Sequence, residues 1–461
     1  METSRWLPQR IYLDASFTLA SGKSSGVERV VRNLLHESHA LGSRGNWPVP
    51  QTVLCHRGSF HVVDQQALGR LQRTAVLQGD IVSHLPPAYR AVVGALCRTV
   101  PVPTLRKWLH PEPGRMGIFR AWHNGRQAAD FRWIAKRCRQ VSLGPADLLI
   151  LPDAYWIRRL RGSVWQAAQR ARANGATVVG LVYDLIPLTH PQFVGDRASA
   201  AFRQYVLGAL AHTDHLICIS RTVCDQLREF AKQAMADLKT LPTISHFQLG
   251  AELKLHDGIV RPHIQSIMQA SPAAYLKVAT LDPRKNHAYV LDAFEQLWRT
   301  HPHARLVLVG RIGASCHDLV QRIRQHARYN EQLFLLNDLS DAEVQYCYRH
   351  CRAVIFASIV EGFGLPIVEA LWHGKPMLAS DITIHREVGG DACAYFNLAD
   401  PADLADQLRR LEAGSGRASA PPVPPPAACP IDWSESCRQF FESALQAYRD
   451  KNCRQTVPQA A

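Results

Sequence analysis

The second half of the chain alternates short apolar segments with segments of helical periodicity, and few folds accommodate that pattern. A strand that is buried on both faces is apolar throughout, and helices between such strands cover both faces of a parallel sheet. The pattern therefore predicts an α/β domain with a parallel sheet over residues 251–412. Its predicted strands are 274–279, 304–309, 332–336, 353–357, 376–379 and 394–396.

The first half shows the same alternation less regularly. The chain has 461 residues, which is too long for one ordinary core, and its 47% apolar and 20% charged residues are typical of globular proteins. We therefore predict a second α/β domain over residues 1–250. Its predicted strands are 10–14, 147–152, 177–182 and 215–219.

Three segments lie outside this alternation. Residues 88–140 form a basic insertion, since 89–140 contain eleven Lys or Arg against two acidic residues, with aromatic residues between them. That composition suits an anionic membrane surface or a phosphate-bearing substrate, and a solvated basic face is an equal alternative. Residues 413–430 are rich in Pro and small residues and predict an extended linker, and 431–450 predict a helix.

Composition also bears on metals and location. The twelve cysteines are scattered without a C-x-x-C pair, so we expect reduced thiols and no metal site. No run of about 18 apolar residues predicts a membrane span, and the N-terminus lacks the apolar core of a secretory signal. We therefore expect a cytoplasmic protein.

The most informative motif places two carboxylates eight positions apart, Glu361 and Glu369, around a Gly-Phe-Gly turn. Pro366 suits the first position of a helix, so we predict Glu361 in the loop and Glu369 in the first helical turn. The free N–H groups of that turn attract anions, and carboxylates accept hydrogen bonds from sugar hydroxyls. The motif suits a nucleotide-sugar. The alternative is a common turn with a glutamate that only favours the helix dipole.

Two further groups follow predicted strands. Arg284 and Lys285 come after strand 274–279, and a guanidinium beside an ammonium suits a diphosphate, although a surface pair is the alternative. Asp184 comes after strand 177–182. Groups at the carboxyl ends of strands face the ligand crevice in open α/β sheets, whereas an aspartate before a turn is as often a cap.

Together these motifs resemble glycosyltransferase family 4, the retaining sugar transferases of the GT-B fold. The likeness covers nearly all of 277–411, more loosely much of 149–250, and is thin over 51–142. It leans towards the mannosyl- and rhamnosyltransferases of bacterial surface polysaccharides. The resemblance implies two Rossmann-like domains with parallel sheets facing a central cleft. It also implies that the last helix crosses back onto the first domain.

The resemblance assigns roles by position in the C-terminal domain. Arg284 and Lys285 are similar to the family's diphosphate-binding pair, and Glu369 to its ribose ligand. Glu361 and the backbone of the turn are similar to the donor-sugar site, and Leu339 to the backbone contact for the base. The turn consists of Gly362, Phe363, Gly364 and Leu365.

In the N-terminal domain the carry-over is less complete. The loop 22–26 resembles the family loop that approaches the donor phosphates, with Gly26 as its donor-binding residue. Asp184 would contribute to catalysis, but Tyr183 stands where many relatives have a histidine, which puts that role in doubt. The family works without a metal ion, and we expect no cofactor.

The implied activity is transfer of a hexose from a nucleoside-diphosphate sugar, with mannose from GDP-mannose favoured. The acceptor would be a glycan or a lipid-diphosphate-linked glycan in polysaccharide or lipopolysaccharide biosynthesis, which suits peripheral binding to the inner face of the cytoplasmic membrane. The leaving phosphate could take the acceptor's proton, so no protein base is required. We expect Lys285→Ala and Glu361→Ala to fold normally and to lose transfer.

Two other functions remain as alternatives. A nucleotide-sugar epimerase of similar architecture would convert the donor without any acceptor. A nucleic-acid-binding protein could use the net charge of +14. The sequence has no helix-turn-helix, RRM or zinc-finger signature, so we expect no nucleic-acid partner.

Overall fold

The computed structural model describes residues 7–21, 26–64, 66–67, 129–130, 132–155, 158–235, 241–253, 258–313, 315–414 and 430–456. Three predicted features fall wholly or largely outside the described residues. They are most of the basic insertion 88–140, most of the loop 22–26, and most of the linker 413–430.

The first sheet has seven strands in the order β3-β2-β1-β4-β5-β6-β7. All neighbouring pairs are parallel except β2 and β3, which form an antiparallel edge. The four predicted strands are present, and the structure adds β2, β3 and β7. The strands are β1 Arg10–Asp14, β2 Gln51–His56, β3 Ser59–Val62, β4 Asp147–Leu151, β5 Thr177–Val182, β6 His215–Cys218 and β7 Thr243–His246.

Helices cover both faces of this sheet. They are α1 Ser16–Ser21, α2 Gly26–Ser43, α3 Arg158–Ala173, α4 Ile186–Thr189, α5 Asp196–His212 and α6 Arg221–Ala234, with a 3-10 turn at Pro191–Phe193. In β1, Ile11 and Leu13 pack in the core that contains α2, whereas Tyr12 packs in the core that contains α3 and α5. Because both faces are buried, the strand is apolar at successive positions, which is the pattern seen in the sequence.

The second sheet has six strands, all parallel, in the order β10-β9-β8-β11-β12-β13. Every strand overlaps one of the six predicted segments, so the predicted parallel sheet is confirmed. The strands are β8 Tyr275–Val278, β9 Leu306–Val309, β10 Leu333–Leu336, β11 Ala353–Phe356, β12 Met377–Ser380 and β13 Cys393–Phe396.

The helices of the second domain alternate with its strands. They are α7 Pro262–Gln269, α8 His287–Leu297, α9 His317–Gln325, α10 Asp341–His350, α11 Leu365–Trp372, α12 Thr383–Gly389 and α13 Pro401–Glu412, with 3-10 turns at Pro283–Lys285 and Gly390–Ala392. Helix α10 begins with a capping box in which the Ser340 hydroxyl and the Glu343 carboxylate each accept a backbone N–H of the other residue. This cap fixes where the chain turns after β10.

The last helix, α14 Trp433–Thr456, packs on the first domain. Trp433 is fully buried against Gly250, where an added Cβ would lie 2.7 Å from the indole ring, so only glycine permits this approach. The ring of Phe441 stacks on that of Trp47 with centroids 4.8 Å apart. Lys451 Nζ donates to Asp214 Oδ2 at 3.0 Å. The end of the chain thus completes the core on one face of the first sheet.

Candidate active site

A cavity of about 460 Å³ lies between the two domains, at the carboxyl ends of strands from both sheets. In open α/β sheets, ligands bind in the crevice outside the carboxyl ends of the strands. All the site residues predicted from the sequence line this cavity except Leu339. The structure therefore brings together groups that are as far apart in the chain as Gly26 and Glu369.

Glu361 is the centre of the charged groups in this cavity. Its carboxylate accepts a hydrogen bond from Lys285 Nζ and another from Arg284 Nη1, the latter at 3.1 Å. The side chains of Glu361, Lys285 and Arg284 are only 9%, 13% and 27% exposed. Burial opposes the charge on Glu361, but the two cations outweigh burial and lower its pKa to about 2. Glu361 is therefore ionised throughout the physiological pH range.

Local backbone structure aims the two cations at Glu361. They lie in the 3-10 turn Pro283–Lys285, which follows β8 and begins with the Asp282 carboxylate accepting the N–H of Arg284 at 3.1 Å. Asn286 then adopts a left-handed conformation with φ of 54°, which ends the turn and starts α8. Both cations thus lie at the carboxyl end of β8, one of the two middle strands of the second sheet.

The turn Gly362–Leu365 follows Glu361 and lies against the first domain. The carbonyl of Gly362 accepts a hydrogen bond from Ser220 Oγ at 2.8 Å. A Cβ at Gly362 would lie 2.3 Å from the carbonyl oxygen of Tyr183, so a side chain here would push the two domains apart. Gly364 has a φ of 105°, which favours glycine. These two glycines allow the turn to pack closely against the first domain and to form one wall of the cavity.

Asp184 lies opposite this turn. Its Oδ1 accepts the backbone N–H of Ile186 at 3.0 Å, which is the capping role that the sequence left as an alternative. Burial raises the pKa of Asp184, while the nearby charge of Arg284 opposes that shift. Asp184 therefore faces the cavity and caps a turn at the same time, and its capping bond holds the carboxylate in place.

Glu369 occupies a position different from the predicted one. Helix α11 begins at Leu365, so Glu369 is its fifth residue and lies just beyond the first turn. Its side chain is 3% exposed. One carboxylate oxygen accepts the Tyr348 hydroxyl at 2.6 Å, and the other accepts Arg29 Nη2 of α2 at 2.5 Å. The sequence predicts that this helix starts at Pro366, one residue later, but Pro suits the second position of a helix as well as the first.

Leu339 and Gly26 are placed less specifically. Leu339 does not line the cavity, and its partly buried side chain packs against the core next to the cap of α10. Gly26 lines the cavity as the first residue of α2, and among the described residues no atom beyond its chain neighbours lies within 4 Å of an added Cβ. The described residues therefore give no steric reason for a glycine at this position.

Sequence reasoning missed two charged residues near the cavity. Arg29 is one, and the only signal for it was its place in the first turn of the helix that follows the loop 22–26. Lys277 of β8 is the other. It is fully buried, and among the described residues no hydrogen-bond partner is found for its Nζ. Burial and, to a lesser extent, the charge of Lys285 lower its pKa to about 7.

The described residues contain no group of metal ligands and no helix of the membrane-spanning kind. Among them, no three His, Cys, Asp or Glu side chains are grouped so that they could hold a metal ion. None of the described helices combines the length and apolarity that a membrane-spanning helix needs.

Comparison with known proteins finds a family that the second domain resembles. Residues 265–420 match the family model of the glycosyl transferases group 1. The serotype-specific mannosyltransferase WbdA of Escherichia coli is 34% identical over 240 residues, which are 51% of this chain and 29% of WbdA. The O-antigen chain mannosyltransferase B of Escherichia coli is 33% identical over 144 residues, 31% of this chain and 37% of that protein. The resemblance to bacterial sugar transferases is therefore confirmed.

The chain spans less than two thirds of these relatives. A third relative, the O-antigen chain mannosyltransferase RfbU of Salmonella typhimurium, is 22% identical over 232 residues, which are 50% of this chain and 60% of RfbU. The matched share of the relatives is thus between 29% and 60%.

Solved structures match over nearly the whole chain. Anabaena HepE, solved in complex with UDP and glucose, has a TM-score of 0.53 at 15% identity, covering 94% of this chain and 98% of HepE. Sucrose-phosphate synthase from Thermosynechococcus elongatus has a TM-score of 0.51 at 15% identity, covering 97% of this chain and 98% of that structure. At such identities the likeness concerns the fold alone, and it confirms the predicted GT-B architecture of two Rossmann-like domains.

Proposed function

We propose that this chain is a retaining hexosyltransferase that moves a sugar from a nucleoside-diphosphate donor to a hydroxyl of a glycan. The observation that carries the proposal is the buried group of Glu361, Arg284 and Lys285 in the interdomain cavity. It combines a preorganised pair of cations with an ionised carboxylate beside a glycine turn. The family match of residues 265–420 supports the same chemistry.

The cations suit the charge that develops on the leaving group. When the bond between the sugar and the diphosphate breaks, negative charge grows on the phosphate oxygens. Arg284 and Lys285 are already held in place by Glu361, so they need little reorganisation to stabilise that charge. Losing such a contact typically raises the barrier by about 3–4 kcal/mol.

The carboxylates of the cavity suit binding better than proton transfer. Glu361 is paired with two cations, Glu369 accepts from Tyr348 and Arg29, and Asp184 caps the turn at Ile186. We assign Glu361 to the hydroxyls of the donor sugar and Glu369 to the ribose. The leaving phosphate then takes the proton of the acceptor as the acceptor attacks from the same face. This order of events retains the anomeric configuration.

The names of the relatives favour mannose as the transferred sugar and a surface polysaccharide as the acceptor. We extend this to GDP-mannose as the donor and to a glycan, free or linked to a lipid diphosphate, as the acceptor. The basic composition of residues 88–140 supports work at an anionic membrane surface, and we place the protein at the cytoplasmic side of that membrane. The reaction needs no metal or cofactor beyond the donor.

Two measurements on the purified chain test this proposal. A thermal-shift panel of GDP-, UDP-, dTDP- and ADP-sugars should single out one donor, because a ligand at 100 times its Kd stabilises the fold by about 2.7 kcal/mol. That donor is then incubated with α-mannobiose, and NMR of the product should show the anomeric configuration of the donor. Absence of any stabilising donor would overturn the proposal. So would conversion of the donor sugar without an acceptor, which would indicate an epimerase.

A further inference from the structure

Arg29 reaches from the first domain to Glu369 of the second. It stands in the first turn of α2, and its guanidinium donates to Glu369 Oε1 at 2.5 Å. The other oxygen of Glu369 accepts from the Tyr348 hydroxyl of its own domain. The side chains of Glu369 and Arg29 are 3% and 25% exposed, so the ion pair is largely shielded from water. The pair therefore joins the domains across the cavity wall.

Other contacts also hold the domains together, and they lie elsewhere. Ser220 Oγ donates to the Gly362 carbonyl, and the carboxylate of Glu387 accepts the N–H groups of Arg221 and Thr222 at 2.6 and 2.8 Å. Ser220, Arg221 and Thr222 follow β6, whereas the helix that carries Arg29, α2, follows β1. In the first sheet β6 lies three strand positions away from β1. Arg29 can therefore leave Glu369 while the contacts near β6 keep the domains in place.

Arg29 occupies the carboxylate of Glu369 to which the ribose is assigned, so the ribose cannot bind there unless Arg29 moves. The proposed function assigns Glu369 to the ribose, yet in this structure Glu369 Oε1 pairs with the guanidinium. Ribose hydroxyls are neutral, so replacing Arg29 by ribose would leave a positive charge in a cavity that it lines. A partly buried charge without a partner is unfavourable. The diphosphate of the same donor supplies a partner, and guanidinium groups pair with phosphate in a bidentate manner.

We infer that Arg29 is a phosphate-binding residue that exchanges Glu369 for the diphosphate of the donor when the ribose binds to Glu369. This inference rests on the proposed function, because it takes the ligand to be a nucleoside diphosphate. It adds a third cation to Arg284 and Lys285, one that the first domain contributes. Donor binding then involves both domains, and Arg29 also faces the charge that develops on the leaving group.

Arg29→Ala tests separately whether Arg29 binds the diphosphate and whether it competes with the ribose for Glu369. Isothermal titration measures the Kd of GDP and UDP, which carry the diphosphate, and of guanosine and uridine, which lack it. Removing Arg29 frees Glu369 for the ribose, so the nucleoside should bind severalfold more tightly. The matching nucleoside diphosphate should bind about 10- to 100-fold more weakly, as expected for the loss of a charge-assisted hydrogen bond. Opposite changes in the two affinities are the expected result.

Further variants guard against a trivial loss of structure. Arg29→Lys keeps the charge but not the fork, so its diphosphate affinity should lie between those of the wild type and Arg29→Ala. Arg32→Ala, at an exposed position of the same helix, should leave both affinities unchanged.

If both ligands bind Arg29→Ala more tightly, Arg29 only competes with the donor and the inference is overturned. If both bind more weakly, Arg29 only supports the fold, which also overturns it. If the wild type binds no nucleoside diphosphate, the proposed function fails with it.

Discussion

Glu361 is a carboxylate that both Arg284 and Lys285 contact. Lys285 and Arg284 both donate to it, and all three groups are at least mostly buried. Removing one partner of a buried ion pair leaves an uncompensated charge, which typically costs about 3–5 kcal/mol. The structure therefore changes an expectation from the sequence, since Glu361→Ala can no longer be expected to fold as stably as the wild type.

Glu361→Gln should lower kcat about 100- to 1000-fold, because the cations lose the charge that orients them towards the diphosphate. It should also lower the free energy of unfolding by about 3 kcal/mol, measured by urea denaturation. The double variant Lys285→Met/Glu361→Gln removes both charges of the contact between Lys285 and Glu361. Compared with Glu361→Gln alone, it should recover part of the stability but none of the activity. Glu229→Gln, on an exposed part of α6, serves as the control. Recovery of activity together with stability would show that Glu361 acts on the fold alone.

Lys277→Met should make the protein more stable. The amine of Lys277 is buried without a hydrogen-bond partner among the described residues, and such groups cost about 1–3 kcal/mol. Its pKa is about 7 in the folded protein against an ordinary value of 10.5. Between these two pH values the unfolded chain binds more protons, so stability from this group rises with pH in that window.

The gain from Lys277→Met should therefore be largest at or below pH 7 and should shrink towards pH 10.5. Urea denaturation at several pH values measures it, with exposed Lys232→Met as the control. A gain that is the same at every pH would contradict the shifted pKa. The groups that act on the Lys277 amine are Lys285 and Glu361, so the pH series is best repeated in Lys285→Met.

Chain order made some site residues predictable and left others hidden. Arg284 and Lys285 follow a buried strand of the second sheet, and Asp184 follows one of the first, so each could be expected at the ligand-facing edge of its own domain. Arg29 and Lys277 gave no such signal. Arg29 meets Glu369 only because two separate domains pack against each other, and Lys277 sits within a strand where an apolar residue would be usual.

At the scale of elements, burial decided which strands the sequence revealed. Strand β11 is Ala-Val-Ile-Phe and is buried at all four positions, so it forms an unmistakable apolar run. Strand β7 is Thr-Ile-Ser-His, and its end residues are exposed because it lies at the edge of the sheet. An edge strand needs no continuous apolar sequence. The three missed strands, β2, β3 and β7, all lie at or next to an edge.

Trp433→Ala tests how far the last helix contributes to the first domain. Trp433 is fully buried against Gly250, and its indole N–H donates to the Glu252 carbonyl at 3.0 Å. Truncating a buried tryptophan leaves a cavity and removes this hydrogen bond, so the free energy of unfolding should fall by about 3–5 kcal/mol. Gln446→Ala, exposed on the same helix, should change it by less than about 0.5 kcal/mol. Equal values for the two variants in urea denaturation would show that α14 packs only loosely.

At the scale of the whole molecule, the sequence could indicate two α/β domains but not how they meet. The alternation of apolar and helical segments follows from burial within each sheet, which is a local matter. The interface depends on a few contacts between distant parts of the chain. Gly362 packs against Tyr183, and Glu387 accepts hydrogen bonds from the first residues of α6. No periodicity records such pairs, so the resemblance to a known family was needed to predict the cleft.

Glu387→Ala should loosen the closed arrangement of the domains. The Glu387 carboxylate accepts the N–H groups of Arg221 and Thr222 and the Thr222 hydroxyl, and so caps a helix of the other domain. If the donor site needs both domains, the apparent Kd rises as the closed fraction falls. We expect a Kd for the nucleoside diphosphate several times higher, with kcat at saturating donor close to that of the wild type.

Small-angle scattering should show a larger radius of gyration that returns to the wild-type value when nucleotide is added. Asp391→Ala, exposed nearby, should change neither quantity. An unchanged Kd and radius in Glu387→Ala would mean that the contacts at Ser220 and Arg29 close the cleft without it.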